Sequence, residues 1–329
     1  MVIPKKQICA WVERPGPDAN IDIREVDVGE PGEGEVLIKL EVSGVCHSDH
    51  HSIYGNTPMS THIAGHEGVG SVIKGMDWLH RACGKCETCA LDYTHCPSQD
   101  NSGRNISGTF QPDAAYITRI PGDIPAEVAA PILCGGITVY KALLNADLKA
   151  GDFVGFPGAG GGLGHLGLQI AASMGFRVIA IDSADKESTC ANSGAEHFLD
   201  FRKSANLVQD VRTITGGVGA HAVLCITGAQ SAYDNAIAML RNCGRLVCIG
   251  IPPTSYRLQV NPFEMLVRGL KIIGSSVGSK EQMQDLMQLA AAGKVKPEVH
   301  MYELHEVADV LDKLHLGQVS GRAVLRIPE

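Results

Sequence analysis

The sequence predicts an α/β plus β protein of two domains: a doubly wound parallel sheet with helices on both faces, and a β domain whose segments precede and follow it. Three observations carry that prediction. Between Gly151 and Gly274 short apolar strands alternate with amphipathic helices, the pattern of βαβ units. Residues 1–43 and the C-terminal tail read instead as strands punctuated by Pro and Gly. At 329 residues, the chain also exceeds what one hydrophobic core usually organises.

In order, the stretches RPGPDAN and VGEPGEGE separate short strands, and VLIKLEVSGV alternates as a half-buried strand does. A Gly-punctuated segment, GVCHSDHHSIYGNTPMSTHIAGHE, follows, then the strand-like GVGSVIKG and a cysteine-rich lobe. PILCGGITVYKALLNADL has a helical pattern. Beyond it the alternation runs through DFVGFPG, HLGLQIAASMG, RVIAID, KESTCANSG, HFLDF, NLVQDVRTITG, HAVLCITG, SAYDNAIAMLRNCG (read as a helix throughout), RLVCIG and LKIIGSSVG. The tail supplies two helices, KEQMQDLMQLAAAG and LHEVADVLDKLHLG, and a closing strand, SGRAVLRIP, of the first domain's texture. The expected division is 1–135 with 277–329 for the β domain and 136–276 for the parallel sheet.

Composition narrows the function classes. Apolar residues at 44% and charged residues at 19% describe a globular protein. A net charge of −8 gives no basic face for nucleic acid or an anionic membrane. The N-terminus lacks a signal peptide's apolar core and no window reads as long and apolar enough to span a bilayer, so a cytoplasmic protein is expected.

The segment after Gly44 concentrates the chemistry. Cys46 and His66 are ligand types that zinc prefers, and a catalytic zinc takes three protein ligands with one position open. Cys46 alone also reads as a small buried hydrophobe, and His47, His50 and His51 as surface histidines. Ser48 and His51 lie three residues apart, which outlines a proton relay from hydroxyl to imidazole.

Four of the eleven cysteines, Cys83, Cys86, Cys89 and Cys96, crowd into fourteen residues. Thiols so spaced converge on one point, which favours a closed tetrahedral zinc site that holds an irregular loop; a redox dithiol is the other reading. Cys9, Cys190, Cys225, Cys243 and Cys248 sit apart in apolar or helical contexts and are assigned to packing.

The strand FVGFP runs into GAGGGLG and then a helix, so Gly158, Gly160, Gly161, Gly162 and Gly164 form a turn where backbone can approach a dinucleotide pyrophosphate. The turn is not a literal G-x-G-x-x-G. Its support is context: the next strand ends in Asp182, where a carboxylate accepts from ribose hydroxyls and repels a 2′-phosphate, so NAD is preferred to NADP. A helix cap is the other reading of Asp182.

Taken together, GVCHSDHH, AGHEGVG, WLHRACGKCETC, LCGGITVYKAL, GAGGGLG, RVIAID and SGRAVLRI resemble the zinc-dependent alcohol dehydrogenases of the medium-chain dehydrogenase/reductase superfamily, in particular the yeast-type fungal branch. The resemblance runs nearly end to end. It implies a GroES-like catalytic domain and a Rossmann NAD-binding domain. It implies a catalytic zinc on Cys46, His66 and Cys134, a Cys2His set of the kind known for such enzymes, with Glu67 close enough to reach the metal. Asp49 would orient the zinc-bound imidazole, Ser48 and His51 would relay the alcohol proton, and His47 would lie near the pyrophosphate. Cys83, Cys86, Cys89 and Cys96 would hold a structural zinc. NAD would meet Gly161, Gly162, Leu163, Asp182, Lys186, Phe201, Ile249, Ile251, Ser275, Val277 and Arg322, the last as a cation on the pyrophosphate. The implied reaction interconverts a primary or secondary alcohol with an aldehyde or ketone, in a homotetramer or homodimer built through the NAD domain.

The chain departs from that pattern in places. Fifteen residues separate Glu67 from Cys83, fewer than in the family, with the shortfall near Lys74 to Met76; six lie between Cys89 and Cys96; and RNISGTFQPDAAY is altered. Trp78 matches one aromatic wall of the yeast-type pocket, while Thr57 stands where a second Trp is common, which leaves room beyond ethanol. Two other readings are a zinc-free quinone-oxidoreductase-like reductase, against which the cysteines and His66 speak, and a catalytically impaired NAD- and zinc-binding paralogue.

Overall fold

The computed structural model describes residues 3–29, 37–59, 61–63, 65–74, 86–97 and 118–328. Cys83, Trp78, the altered RNISGTFQPDAAY segment and most of the shortfall after Lys74 lie outside them. In chain order the elements are β1 (Lys6–Val12), β2 (Ile21–Asp27), β3 (Leu37–Val45), α1 (His47–Ile53), β4 (Glu67–Lys74), α2 (Glu87–Asp92) and α3 (Ala126–Pro131). Then come α4 (Ile137–Asn145), β5 (Phe153–Pro157), α5 (Gly164–Ser173), β6 (Arg177–Asp182), α6 (Glu187–Asn192), β7 (His197–Asp200), α7 (Leu207–Ile214) and β8 (Ala220–Cys225). The chain continues through α8 (Gln230–Met239), β9 (Leu240–Cys248), α9 (Pro262–Arg268), β10 (Lys271–Gly274), α10 (Lys280–Ala291), β11 (Val299–Glu303), α11 (Val307–His315) and β12 (Arg322–Arg326).

Contacts divide the chain into two compact units, one of 1–134, 279–291 and 297–329, the other of 135–278 and 292–296. In the first, β1 and β2 form an antiparallel pair, and a mixed sheet runs β11-β12-β3-β4. Its core gathers Val12, Val45 and Ile53 against Val307, Val310 and Leu311 of α11. Strand β3 is the hinge of this unit: it pairs antiparallel with both β12 and β4, and its last residue leads into α1.

The second unit is a six-stranded parallel sheet in the order β10-β9-β8-β5-β6-β7. Strands β5, β6 and β8 are buried almost throughout, as strands covered on both faces must be. The order reverses between β5 and β8, and in such sheets ligands bind beyond the carboxyl ends at that switch point.

Three elements differ from expectation. The helix read through Cys243 stops at Met239, and Leu240 already pairs with Ala220 in β9. The physical cause is a bulge: the register slips between Ala220 and Ala222, and Cys243 adopts φ 59°, which a helix excludes. Helix α9 was overlooked, although its signals are in the sequence: Asn261 caps the Phe263 N–H, Pro262 opens the first turn and Gly269 ends it at φ 61°. Strand β11 was overlooked too. It alternates poorly because it lies at a sheet edge, paired only with β12 among the described residues.

One expectation about membranes needs correcting. The helical run Ala126–Asn145 spans 20 residues and is by length and composition apolar enough to cross a bilayer. Of its most apolar 18-residue window, 78% is buried inside the protein, as in a core helix.

Candidate metal centres and cofactor turn

Cys46 ends β3 and serves as the N-cap of α1 in extended conformation. Asp49 stands three residues on. Its Oδ2 accepts the Cys46 N–H at 3.0 Å, closing the first turn, while its Oδ1 meets Nδ1 of His66 at 2.7 Å. That second bond fixes the imidazole: Nδ1 donates to the carboxylate, so Nε2 is the nitrogen turned towards the thiols. Nε2 lies 3.3 Å from the sulfur of Cys134. Cys134 comes from a π-helical turn, Ile132–Gly136, inserted between α3 and α4, a distortion that turns the thiol out of the regular helical face.

The ligand atoms of Cys46, His66, Glu67 and Cys134 all lie within 4.8 Å of one another, and all four residues are buried. Glu67 is wholly excluded from solvent. One of its oxygens pairs with the Arg322 guanidinium and the other, Oε2, has no hydrogen-bond partner. An orphaned carboxylate oxygen beside two thiols and an imidazole nitrogen fits a cation at their centre, and this donor set suits zinc. Gly44 makes room for it: a Cβ there would fall 1.9 Å from Oε2 of Glu67.

The electrostatics agree. Hydrogen bonding with Cys134 holds the Cys46 thiol well below its ordinary range despite burial, and the same contact raises Cys134 well above it, so one proton serves two sulfurs. Burial opposes charge on His66, but the Asp49 carboxylate and Cys46 outweigh it and push the imidazole up to about 10. Burial likewise pushes Glu67 up to about 7 against the pull of Arg322. A divalent cation would displace the shared proton and the second imidazole proton and satisfy the same negative charge.

Around this centre, Ser48 Oγ lies 3.7 Å from the Cys46 sulfur. His51 stands one turn along α1, half-buried, with Nδ1 3.3 Å from the Asn56 amide, and His47 is exposed at the start of the helix. His50, for which no role was foreseen, is buried and stacks on His315 of α11 at 4.3 Å between ring centroids. The sequence offered no signal for that contact, because it joins positions 265 residues apart. Nor did it signal the pairing of Arg322, the residue expected on the pyrophosphate, with Glu67.

A second cluster is local. The sulfurs of Cys86, Cys89 and Cys96 lie within 4.8 Å of one another, with Cys86 3.5 Å from Cys89 and 3.9 Å from Cys96. Cys86 caps α2 and accepts the Cys89 N–H, so the short helix itself sets the thiol spacing. None of the three is in a disulfide. Their convergence fits a tetrahedral zinc with the fourth ligand position falling to Cys83 by sequence.

In the second unit the glycine turn joins β5 to α5. Gly158 takes φ 84°, and a Cβ at Gly164 would fall 2.3 Å from the Ala159 carbonyl, so neither tolerates a side chain. Gly161, Gly162 and Leu163 occupy the turn and the N-cap of α5. Asp182, at the end of β6, accepts the Gly160 N–H at 2.8 Å and the Ser183 N–H at 2.8 Å, which ties the turn to the neighbouring strand. Lys186 lies against Gly160. Phe201 is half-exposed just past β7; Ile249 and Ile251 follow β9; Ser275 and Val277 follow β10. Asp182 is the last residue of β6, and the other positions expected to meet NAD in this unit all lie within six residues past a strand's carboxyl end.

The comparisons with known proteins point the same way. Residues 32–119 match the alcohol dehydrogenase GroES-like domain, and 162–292 match the zinc-binding dehydrogenase domain. The chain is 37% identical to an alcohol dehydrogenase of Schizosaccharomyces pombe, covering 99% of each, and 35% identical to alcohol dehydrogenase 1 of Emericella nidulans, covering 100% of each. Among solved structures it resembles the alcohol dehydrogenase of Aeropyrum pernix (TM-score 0.85, 29% identity, 98% of this chain and 100% of that one). It also resembles the acetophenone reductase of Geotrichum candidum solved in complex with NAD (TM-score 0.82, 26% identity, 99% and 98%). The chain belongs to the zinc-binding alcohol dehydrogenases of the medium-chain type, and is an alcohol oxidoreductase.

Proposed function

We propose that this chain oxidises primary or secondary alcohols with NAD as the hydride acceptor and, in reverse, reduces the corresponding aldehydes or ketones with NADH as the donor, using two zinc ions per subunit. The observation that carries the proposal is the buried centre of Cys46, His66 and Cys134, with its imidazole locked by Asp49. Zinc bound there supplies a Lewis acid that stabilises negative charge on a substrate oxygen. The chain's own residues do the rest. Asp49 holds His66 so that Nε2 would be the nitrogen to ligate the metal, and Glu67, with one oxygen held by Arg322, keeps a second within reach of the centre. Ser48, beside Cys46, takes the alcohol proton, and His51 carries it towards solvent.

For the cofactor, the turn at Gly161, Gly162 and Leu163 offers backbone N–H groups and the N-terminus of α5 to the pyrophosphate. Asp182 takes the adenosine ribose and disfavours a 2′-phosphate. Lys186, Phe201, Ile249, Ile251, Ser275 and Val277 complete that subsite; by family resemblance His47 would lie near the pyrophosphate and Arg322 would bring a cation to it. Cys83, Cys86, Cys89 and Cys96 hold the structural zinc.

Thr57, whose hydroxyl bonds Ser52 at 3.1 Å, leaves space that an indole would fill. Longer or aromatic primary alcohols should therefore match or exceed ethanol in kcat/KM; a steep preference for ethanol over butanol and benzyl alcohol would count against that assignment. The oligomer is read as a homodimer or homotetramer through the second unit. There the edge strand β10 and helix α9 leave Phe263, Leu266 and Val267 exposed at 72%, 78% and 60%. The deciding experiment is zinc stoichiometry of the purified protein together with NADH formation over a panel of alcohols, with and without chelator. Two zinc ions and chelator-sensitive NADH production are expected; turnover without zinc would overturn the reading.

A further inference from the structure

In the second unit the strand order reverses between β5 and β8, and a dinucleotide held there divides at that point. One half has its seat at the glycine turn after β5 and at Asp182, which ends β6 and suits an adenosine ribose. The other half then falls over the carboxyl ends of β8, β9 and β10. Ile249 and Ile251 stand there, at the start of a loop, residues 249–261, that joins β9 to α9. What holds the start of that loop decides how far it is shaped before a ligand arrives.

Two sets of contacts hold it. The first is backbone against backbone. The Ile249 and Gly250 N–H groups both donate to the Cys225 carbonyl at the end of β8, at 3.1 and 2.8 Å. Past that point the loops after β8 and β9 approach too closely for side chains: a Cβ on Gly250 would fall 2.3 Å from the Thr227 carbonyl oxygen, and one on Gly228 2.4 Å from that of Ile251. The second contact comes from α8. Tyr233 is 4% exposed, and its hydroxyl donates to the Gly250 carbonyl at 2.7 Å, with the Cys225 carbonyl farther off at 3.5 Å. Its ring belongs to the core beneath the sheet, among Cys225, Ala236 and Leu246. Phe would fill the same core space, so packing alone does not call for the hydroxyl; a buried phenol oxygen needs a polar partner, and this one has the Gly250 peptide. One residue on, Asp234 accepts from the Tyr256 hydroxyl at 2.8 Å, but that bond is exposed and lies at the far part of the loop.

We infer that Tyr233 is a positioning residue for the nicotinamide half of the dinucleotide: its hydroxyl fixes the Gly250 peptide, and with it Ile249 and Ile251. The inference rests on NAD as the cofactor. A loop already held loses less freedom on binding, so removing the hydroxyl weakens affinity for the half that the loop meets and spares the half seated on β5 and β6.

Calorimetric titration of the purified full-length protein with NADH and, separately, with AMP, which carries only the adenosine half, tests it. Tyr233→Phe keeps the ring and should raise the Kd for NADH roughly 5–10-fold, the worth of one net hydrogen bond, while the Kd for AMP stays within about twofold of the parent. Gly228→Ala pushes on Ile251 from the opposite side with the phenol in place; it should weaken NADH by at least about fivefold, again sparing AMP, and carries the test if the Phe variant does not fold. Tyr256→Phe removes only the exposed bond and should leave both affinities within about twofold. If the parent binds both probes, an unchanged NADH affinity in Tyr233→Phe, or in Gly228→Ala where it stands in, overturns the inference and leaves the NAD reading intact. Equal losses on NADH and AMP overturn it as well, since they mark general loosening, and so does a loss in Tyr256→Phe as large as in Tyr233→Phe. A parent that binds AMP and not NADH would take down the NAD reading and the inference with it.

Discussion

The two thiol clusters of the first unit are assembled in opposite ways. Cys46, His66, Glu67 and Cys134 come from three distant stretches and meet in a place where all are buried. Cys86, Cys89 and Cys96 come from eleven consecutive residues, and two of the three are partly exposed. In the first the fold brings the donors together and can keep them there; in the second the donors have little else to hold their loop. A metal added to the first is therefore chemistry, and a metal added to the second is structure.

Breaking the distributed cluster should have the largest effect. Cys46→Ser or His66→Ala should lower kcat/KM by about 10³-fold or more, since the Lewis acid supplies several kcal/mol. NADH binding, followed by its fluorescence, should stay within about twofold of the parent. Near-normal turnover in either variant would falsify the assignment of the centre. A subtler break is Asp49→Asn, which keeps the shape but weakens the hold on His66. A loss of about 10–100-fold in zinc affinity or kcat/KM is expected, and an unchanged zinc affinity and rate would reduce Asp49 to a helix cap.

The local cluster should respond in stability instead. Cys89→Ser should remove one zinc equivalent and lower Tm by roughly 5–10 °C, the range for about 3 kcal/mol in a chain of this size. Turnover per folded molecule at room temperature should change less than about threefold. If turnover collapsed while Tm held, the contrast between the clusters would be wrong.

The smallest effect is a pH dependence confined to the α1 side. Burial, and the neighbouring charges of His315, His47 and His51, lower the His50 pKa from 6.5 to about 4, with Asp312 opposing. Tyr54 packs on the same ring. A group whose folded pKa is depressed stabilises the protein above its unfolded pKa, and that stability is lost as pH falls from 6.5 towards 4. Between pH 7 and pH 5 the loss amounts to about 2 kcal/mol. His50→Phe should flatten this slope in urea-melt midpoints, whereas Cys89→Ser should leave it in place. A slope unaltered by His50→Phe would assign the acid sensitivity to other groups.

Legibility followed the distance over which each feature is built. The spacing of Cys86, Cys89 and Cys96, the glycine turn and Asp182 are local patterns, and each reads directly from neighbouring residues. Cys134 could be named only through family resemblance, because no local signal distinguishes a thiol in a π turn from one packed in a helix. The start of β9 at Leu240 is hidden for a similar reason: AMLRNC suits a helix by propensity, and the bulge opposite β8 overrides it.

By itself the amino-acid order determined the fold class, the family and the kinds of donor atoms, since these depend on periodicity and on residue chemistry within short windows. Only the tertiary structure decided that Arg322 holds Glu67, that His50 lies on His315, and that a large, partly polar space remains under β1, β3 and α11. Those are contacts and volumes between segments far apart in sequence. Their energies depend on which surfaces meet, a property that no window along the chain contains.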